Sequence, residues 1–433
     1  MGSLEVGIIA ILLVFVLLFA RMPVAYVMIV VGVAGYAYLV STEAALSIAA
    51  SGIYDTFSSY SFIVIPLFVW MGFIAYYAGI SRRLYDAAYK LFGKVPSGLA
   101  LATIAASTAF GAISGSTTAT SATMGAVALP EMKRYKYDRA LSTATVAASA
   151  ILGIMIPPSV IFILYGLSTG ESISRLFLAG IIPGILLMAL FMFIAYIQAR
   201  IKPELAPPGE SVLWSEKIKS LLTGGIEVVI IFLVVIGGMF YDVFTPTEAG
   251  AVGAATTLLV ALVRRQLLWA GFVASLTDAV RISAMIMFLV AGANIFGRFL
   301  AITGIPTDLA VWAVELPWPP VAVLAVILLI YLLMGFFIDA LALILLTVPI
   351  FYPVIITLGF DPIWFGVIIV LVVGMGVITP PVGANVYVVA GVEGETPVMT
   401  IFKGAWPYLI AIIVCIALLI AFPEIALYLP EIR

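Results

Sequence analysis

The groups in this 433-residue chain best placed to do chemistry are uncharged oxygen donors at two proline breaks. Leu152-Gly153-Ile154-Met155-Ile156-Pro157-Pro158 and Met375-Gly376-Val377-Ile378-Thr379-Pro380-Pro381 each interrupt a long apolar run. Paired prolines remove two amide donors and clash with the preceding turn, so a helix must open there and free several carbonyl oxygens. At membrane depth such backbone is tolerated only where it is buried in protein or lines a cavity. Carbonyl and hydroxyl oxygens are hard donors suited to Na⁺, and opened helices are where coupling ions bind. Taken singly, either break is as well read as a packed kink; two at equivalent positions favour an ion or substrate site.

Each break has a polar partner elsewhere in the sequence. For the first, the candidate sodium ligands are Gly111 and Ser114 together with Gly153, Ile156 and Pro158, mainly through backbone carbonyls. For the second they are Gly335 with Gly376, Thr379 and Val382. The glycines permit close approach of two backbones. Ser116 and Thr117, at the start of a half-helix whose N-terminus carries partial positive charge, are candidates to receive an anionic substrate, Asn385 is a candidate to reach it, and Asp339, placed with the substrate site, could bind a cation or take a proton there. Asp339 serves equally as a helix N-cap, Asn385 as a bond to neighbouring backbone, and the Ser/Thr cluster at 114–121 as helix packing. Arg298 reads as an interfacial anchor, and Thr245-Pro246-Thr247-Glu248 as a turn and capped helix start.

Positioning these groups falls to a chain that is 64% hydrophobic and 10% charged, against roughly 25% charged in a soluble domain. The fold class is an all-α polytopic membrane protein. With no histidine and only Cys415, a His general base, an internal disulfide and a multi-cysteine metal site are excluded, and an intramembrane enzyme would have only Ser, Thr and the lone Asp339 to work with. Nothing points to nucleic acid. Spans are expected near 5–20, 23–40, 60–79, 140–166, 176–198, 225–242, 248–263, 280–301, 363–391 and 404–422.

An offset of 223 pairs Pro96 with Pro319, Pro130 with Pro353, Pro157 with Pro380, Pro158 with Pro381, Asp138 with Asp361 and Gly153 with Gly376. It also aligns Asp339 with Ser116. This is an ungapped internal duplication. Two stretches, 97–130 and 319–353, are too short for two full crossings of ~20 residues each and suit re-entrant helical hairpins. The first is flanked by Arg82, Arg83, Lys90 and Lys94 and by Lys133, Arg134, Lys136 and Arg139, which places both its ends in the cytoplasm. Residues 302–318 and 354–362, flanking the second, contain no Lys or Arg, so it enters from the opposite side. The result is an inverted-topology repeat. In this topology 17 of the 20 Lys and Arg residues are cytoplasmic, Arg175, Arg298 and Arg433 being the exceptions, and both termini are external.

The expected organisation is N-terminal scaffold spans in 1–59, a first repeat in 60–198, a cytoplasmic connector at 199–224, scaffold spans in 225–265 and a second repeat in 266–433. The first repeat holds hairpin 97–130 and broken helix 140–166. The second holds hairpin 319–353, broken helix 363–391 and a final span at 404–422. Amphipathic stretches at 81–95 and 266–279 are expected to join hairpins and broken helices to the scaffold at the cytoplasmic face.

Phe110-Gly111-Ala112-Ile113-Ser114-Gly115-Ser116, Pro130-Glu131-Met132-Lys133-Arg134, Ile156-Pro157-Pro158, Thr245-Pro246-Thr247-Glu248-Ala249, Met334-Gly335-Phe336-Phe337-Ile338-Asp339 and Thr379-Pro380-Pro381-Val382-Gly383 together resemble the large membrane subunit of tripartite ATP-independent periplasmic (TRAP) transporters, over nearly the whole chain. The resemblance implies an elevator-type, Na⁺-driven importer of a small organic anion such as a dicarboxylate, in the bacterial inner membrane. It implies no cofactor beyond the coupling ion and two partners, a small four-helix membrane subunit and a periplasmic substrate-binding protein. Some relatives fuse the small subunit at the N-terminus, so here that partner is expected to be a separate polypeptide. Gly111 stands where relatives often have Ser, leaving a carbonyl but no hydroxyl. A stand-alone carrier or exchanger of the same superfamily is the alternative.

Overall fold

The computed structural model describes residues 2–209 and 212–432, all helices and connections among them. The expected external position of Arg433 lies outside the described residues. The helices are α1 (Ser3–Phe19), α2 (Val24–Leu39), α3 (Thr42–Ser58), α4 (Val64–Tyr77), α5 (Ile80–Phe92), α6 (Gly98–Ser114), α7 (Thr117–Arg134), α8 (Arg139–Ser149), α9 (Leu152–Met155), α10 (Val160–Thr169) and α11 (Ile173–Ile201). A 27-residue apolar segment follows, made of α12 (Trp214–Ser220), α13 (Ile226–Phe232) and α14 (Gly238–Phe240) joined by π-helical turns. Then come α15 (Pro246–Val263), α16 (Trp269–Thr303), α17 (Ile305–Glu315), α18 (Pro320–Gly335), α19 (Ala340–Thr357), α20 (Pro362–Gly376), α21 (Ala384–Glu393), α22 (Val398–Ala421) and α23 (Glu424–Ile432). Among the described residues seven helices are long and apolar enough to cross a membrane, or eight if the pair Arg139–Met155 and Val160–Thr169, bent by 41°, is one span. The chain is a multi-pass membrane protein.

Helix boundaries follow local chemistry. Asp138 and Asp361, equivalent in the duplication, both cap a helix start: Asp138 accepts from the Leu141 amide (2.9 Å) and Asp361 from that of Trp364 (2.8 Å). Thr245 caps α15 and closes a capping box with Glu248, as a structural reading of that motif requires. At the breaks, Pro157–Pro158 and Pro380–Pro381 are both cis.

The duplication runs through the helices themselves. Adding 223 to Thr117–Arg134 gives 340–357, the bounds of α19, and α8, α10 and α11 map to within a few residues at their ends onto α20, α21 and α22. Two expectations need correction. Residues 266–279 are not a separate connector: they continue into the 35-residue α16, and the counterpart of the amphipathic α5 is α17. Residues 42–58, left between spans in the sequence reading, form α3, which is amphipathic rather than uniformly apolar. Adding 223 maps α3 and α4 together onto 265–300, so the second half runs as one helix where the first is broken at 59–63.

Contacts between loops fix which ends of the helices lie together. Glu395, beyond α21, pairs with Lys133 (2.7 Å) and Arg139 (3.0 Å) at the base of the α6–α7 hairpin, and the Asp138 amide donates to the Leu205 carbonyl (2.9 Å). At the other end of the bent α8–α10 segment, the Tyr352 hydroxyl donates to Glu171 (2.7 Å) and that of Tyr165 to the Pro362 carbonyl (2.6 Å). The α6–α7 and α18–α19 hairpins thus have their bases at opposite ends of the helix bundle.

Candidate functional site

In the first half, the α6 arm lies backbone to backbone against the opened helix. A methyl group built on Gly111 would sit 2.5 Å from the Gly153 Cα, and one built on Gly153 would sit 2.9 Å from the Thr120 hydroxyl oxygen and 3.2 Å from the Ser116 carbonyl. Only glycine allows this approach. Ser114 and Thr120 share a hydrogen bond of 3.0 Å, and the Pro158 carbonyl lies 2.9 Å from where a side chain on Gly115 would begin. Among the described residues the carbonyls of Ile156, Pro157 and Pro158 accept no hydrogen bond. The structure therefore gathers Gly111, Ser114, Gly153 and Pro158 around one tip, with Thr120 as an oxygen that the sequence reading missed. The Ile156 side chain turns away to pack against Gly184 of α11.

The second half repeats the approach with a register one residue different. A methyl on Gly376 would meet the Gly335 carbonyl oxygen at 2.8 Å, its carbon at 2.9 Å and the Gly335 Cα at 3.0 Å, all backbone. The Thr379 hydroxyl donates to the Met375 carbonyl within its own turn (2.7 Å), so its main-chain oxygen is the one left over. Val382 is exposed on the same loop. Among the described residues the carbonyls of Thr379, Pro380, Pro381 and Val382 accept no hydrogen bond. Gly335 and Gly376 are brought together.

Both tips open on one cavity of about 660 Å³. The first tip contributes Ser114 to Ala119, the second Asp339, Ala340 and Leu341. Ser116 caps α7 by accepting from the Ala119 amide (3.3 Å), and Asp339 caps α19 through the Leu341 amide (3.1 Å). Ser116, Thr117 and Asp339 thus line a common space. Asn385 does not: it is fully buried and its amide donates to the Ala147 carbonyl (3.1 Å), the neighbouring-backbone role. The far wall comes from α4 and α16 and was not found from sequence: Phe73, Tyr76, Tyr77 and Asp278, with the Tyr77 hydroxyl donating to Asp278 at 2.6 Å. These partners lie about 200 residues apart, and Asp278 sat within the stretch read as a connector. Two carboxylates, aromatic rings and hydroxyls line the cavity; among the described residues no Lys or Arg does. Elsewhere the hydroxyls of Thr103, Thr108 and Thr145 bond the carbonyl four residues back, and Ser107 meets Ser149 (2.8 Å), so these Ser and Thr groups serve packing.

The DctM component of the tripartite ATP-independent periplasmic transporter family matches residues 11–425. The C4-dicarboxylate TRAP transporter large permease protein DctM of Pseudomonas aeruginosa is 35% identical over 88% of this chain and 88% of its own length. The sialic acid TRAP transporter large permease protein SiaM of Vibrio cholerae is 34% identical over 96% of both. In the isethionate TRAP transporter permease protein DctMQ of Oleidesulfovibrio alaskensis the likeness spans 88% of this chain but 58% of that longer protein, at 34% identity. Among solved structures, the YdaH transporter of Alcanivorax borkumensis superposes with a TM-score of 0.62 over 88% of this chain and 90% of its own, at 15% identity, a likeness of fold. This chain is a transport protein, and it belongs to the family of large membrane subunits of TRAP transporters.

Proposed function

We propose that this chain imports a small organic anion across the bacterial inner membrane, driven by Na⁺, after delivery by a periplasmic binding protein and together with a small membrane subunit. The observation that carries the proposal is the convergence of two hairpin tips on one cavity, each hairpin held by a glycine contact against an opened helix with unbonded carbonyls. Hairpin bases at opposite ends of the bundle, one rich in Lys and Arg, support re-entry from opposite faces. Arms of 17 and 18 residues span about 25 Å at 1.5 Å per residue, enough to bring both tips to a shared depth.

On this reading Na⁺ sits in each half between tip and break, held by carbonyls from Gly111, Gly153, Ile156 and Pro158 with Ser114 and Thr120 in the first, and from Gly335, Gly376, Thr379 and Val382 in the second. Each ion fixes its hairpin against its broken helix and offsets the carbonyl dipoles, so that the substrate carboxylate can enter between the tips. The N-terminus of α7, capped by neutral Ser116, receives that carboxylate. The equivalent end of α19 already carries Asp339. Hairpins and broken helices move together against α4 and α16; at Gly72, where a side chain would meet the Ser114 Cα at 3.0 Å, the moving tip passes close to the fixed wall. The relatives named for dicarboxylate and sialic acid transport point to a carboxylate-bearing substrate. Uptake by proteoliposomes should need both an inward sodium gradient and the loaded binding protein. Sodium-driven uptake without that protein would make this a stand-alone carrier.

A further inference from the structure

Asp278, on the cavity wall, has a counterpart that the transport cycle has not yet used. Subtracting the repeat offset of 223 gives Asp55, near the end of α3. Each carboxylate lies at a hydrogen-bonded crossing of α16 with a helix of the first half, although the bonding partners are not themselves 223 positions apart. In one crossing, the Trp70 indole donates to Ser275 (3.3 Å) and the Tyr77 hydroxyl to Asp278 (2.6 Å), joining α4 to the first half of α16. In the other, the Asn294 amide donates to Thr56 (3.1 Å), while the Arg298 guanidinium donates to Ser51 (3.1 Å) and Asp55 (3.4 Å), joining the second half of α16 to α3. Asp278 and Arg298 stand 20 residues apart on one continuous helix, about 30 Å, the thickness of a bilayer core.

In an inverted-repeat transporter the two halves exchange roles between the inward-open and outward-open states. The cavity seen here reaches Tyr77 and Asp278, at the end of α4 that leads into the Arg- and Lys-bearing α5, and is therefore the inward-facing one. Exchange of the halves brings Asp55, the equivalent of Asp278, to the outer mouth, and Arg298 comes with it through its contact with Asp55 rather than through the offset, its own equivalent being Ala75. We infer that Arg298 is a capture site for the substrate carboxylate in the outward-open state, an inference that rests on the transport reading above.

The chemistry differs between the two mouths in the way import requires. The inner wall presents Asp278 beside a neutral tyrosine and, among the described residues, no Lys or Arg. The outer wall presents a guanidinium, which can hold a carboxylate through two parallel N–H groups. Arg298 is only partly engaged here: its side chain is 46% exposed, its contact with Asp55 is long at 3.4 Å, and two of its five N–H groups are used. An arriving carboxylate displaces Asp55 from Arg298. On the inner side the same carboxylate meets Asp278 and is released.

The test is uptake of labelled succinate and of labelled N-acetylneuraminate by proteoliposomes holding the complete transporter, with Arg298→Gln, Arg298→Lys and Asp55→Asn. Arg298→Gln should raise KM about tenfold or more with kcat and sodium half-saturation near wild type, Arg298→Lys should recover part of the loss, and Asp55→Asn should leave KM unchanged or lower it. An unchanged KM in Arg298→Gln would sink the inference and leave Arg298 as an interfacial anchor. Equal losses in Arg298→Gln and Asp55→Asn with lowered melting temperatures would make the pair a packing clamp, which also overturns it. Wild-type uptake indifferent to sodium would instead count against the transport reading. A readout that needs no substrate is the reaction of Ser51→Cys with a membrane-impermeant maleimide added from outside, the native Cys415 being buried. Labelling is expected; complete protection would mean that this face meets lipid or protein rather than a water-filled mouth.

Discussion

Gly376→Ala tests the link between the glycine contact and ion binding. The added methyl would lie 2.8 Å from the Gly335 carbonyl oxygen, and its three nearest neighbours are all backbone, so no side chain can swing aside. Ordinary carbon contacts begin near 3.4 Å; α18 and α20 must therefore part by roughly 0.6 Å, and overpacking of this kind costs about 1–3 kcal/mol. If the contact is tight only when Na⁺ draws hairpin and broken helix together, the cost falls on ion binding. Sodium half-saturation then rises by about 5- to 150-fold, since each 1.4 kcal/mol is a factor of ten. If the contact is equally tight without the ion, the cost falls on folding and the melting temperature drops instead. Sodium titration of uptake and thermal unfolding in parallel separate the two. Gly391→Ala, where a methyl meets nothing within 4 Å, is the control. A Gly376→Ala protein with wild-type sodium half-saturation and wild-type melting would refute the geometry and the role built on it.

Thr120→Val keeps the side-chain shape but removes the oxygen that faces Ser114 and Gly153; sodium half-saturation should rise by about 5- to 10-fold, and loss of the buried bond to Ser114 should cost about 1–3 kcal/mol of stability. A sodium titration of uptake identical to wild type would remove Thr120 from the first site. Glu227, 3% exposed, holds Arg83 at 2.6 Å and Arg264 at 3.1 Å, tying α5 to α13 and α15; the two arginines are 22% and 37% exposed and keep carbonyl acceptors at Ala78 and Thr223, so Glu227→Ala should cost about 1–3 kcal/mol, read as a lowered melting temperature. The hydrogen bond from Lys133, with the positive charges of Lys133 and Arg139, holds the Glu395 carboxyl below the usual range. A depressed carboxylate pKa stabilises fully above the unfolded value of about 4.3 and loses that contribution as pH falls through the lower folded value. The melting difference between wild type and Glu395→Gln should therefore be constant from neutral pH down to about 5 and shrink in stronger acid; a difference that grew on acidification would reverse the sign of this argument.

Much of this architecture is legible because proline, glycine and capping residues carry positional meaning. Pro157–Pro158 and Pro380–Pro381 mark the breaks, Asp138 and Asp361 mark the helix starts that follow the hairpins, and Gly153 and Gly376 mark the close approaches; all eight residues obey one offset. The unread parts are those where a signal is absent or misleading. The α3 helix mixes Glu43, Asp55 and several serines with its apolar residues, so hydropathy does not mark it. Asp278 and Arg281 interrupt the apolar pattern of α16 and look like the end of an amphipathic segment, although the helix runs on for 35 residues. The wall formed by Tyr76, Tyr77 and Asp278 depends on packing between helices about 200 positions apart, which no local pattern encodes. Thr120 was within reach: it lies one turn beyond the first tip, in the Ser/Thr cluster already singled out.

The most direct measurement of the central claim is substrate uptake by proteoliposomes containing this chain with its small membrane subunit, with and without an inward sodium gradient, and with and without the periplasmic binding protein loaded with organic acids. Uptake that needs both is the result predicted here. Uptake that proceeds equally well without sodium would contradict the account, because the opened helices and their free carbonyls would then have no ion to hold.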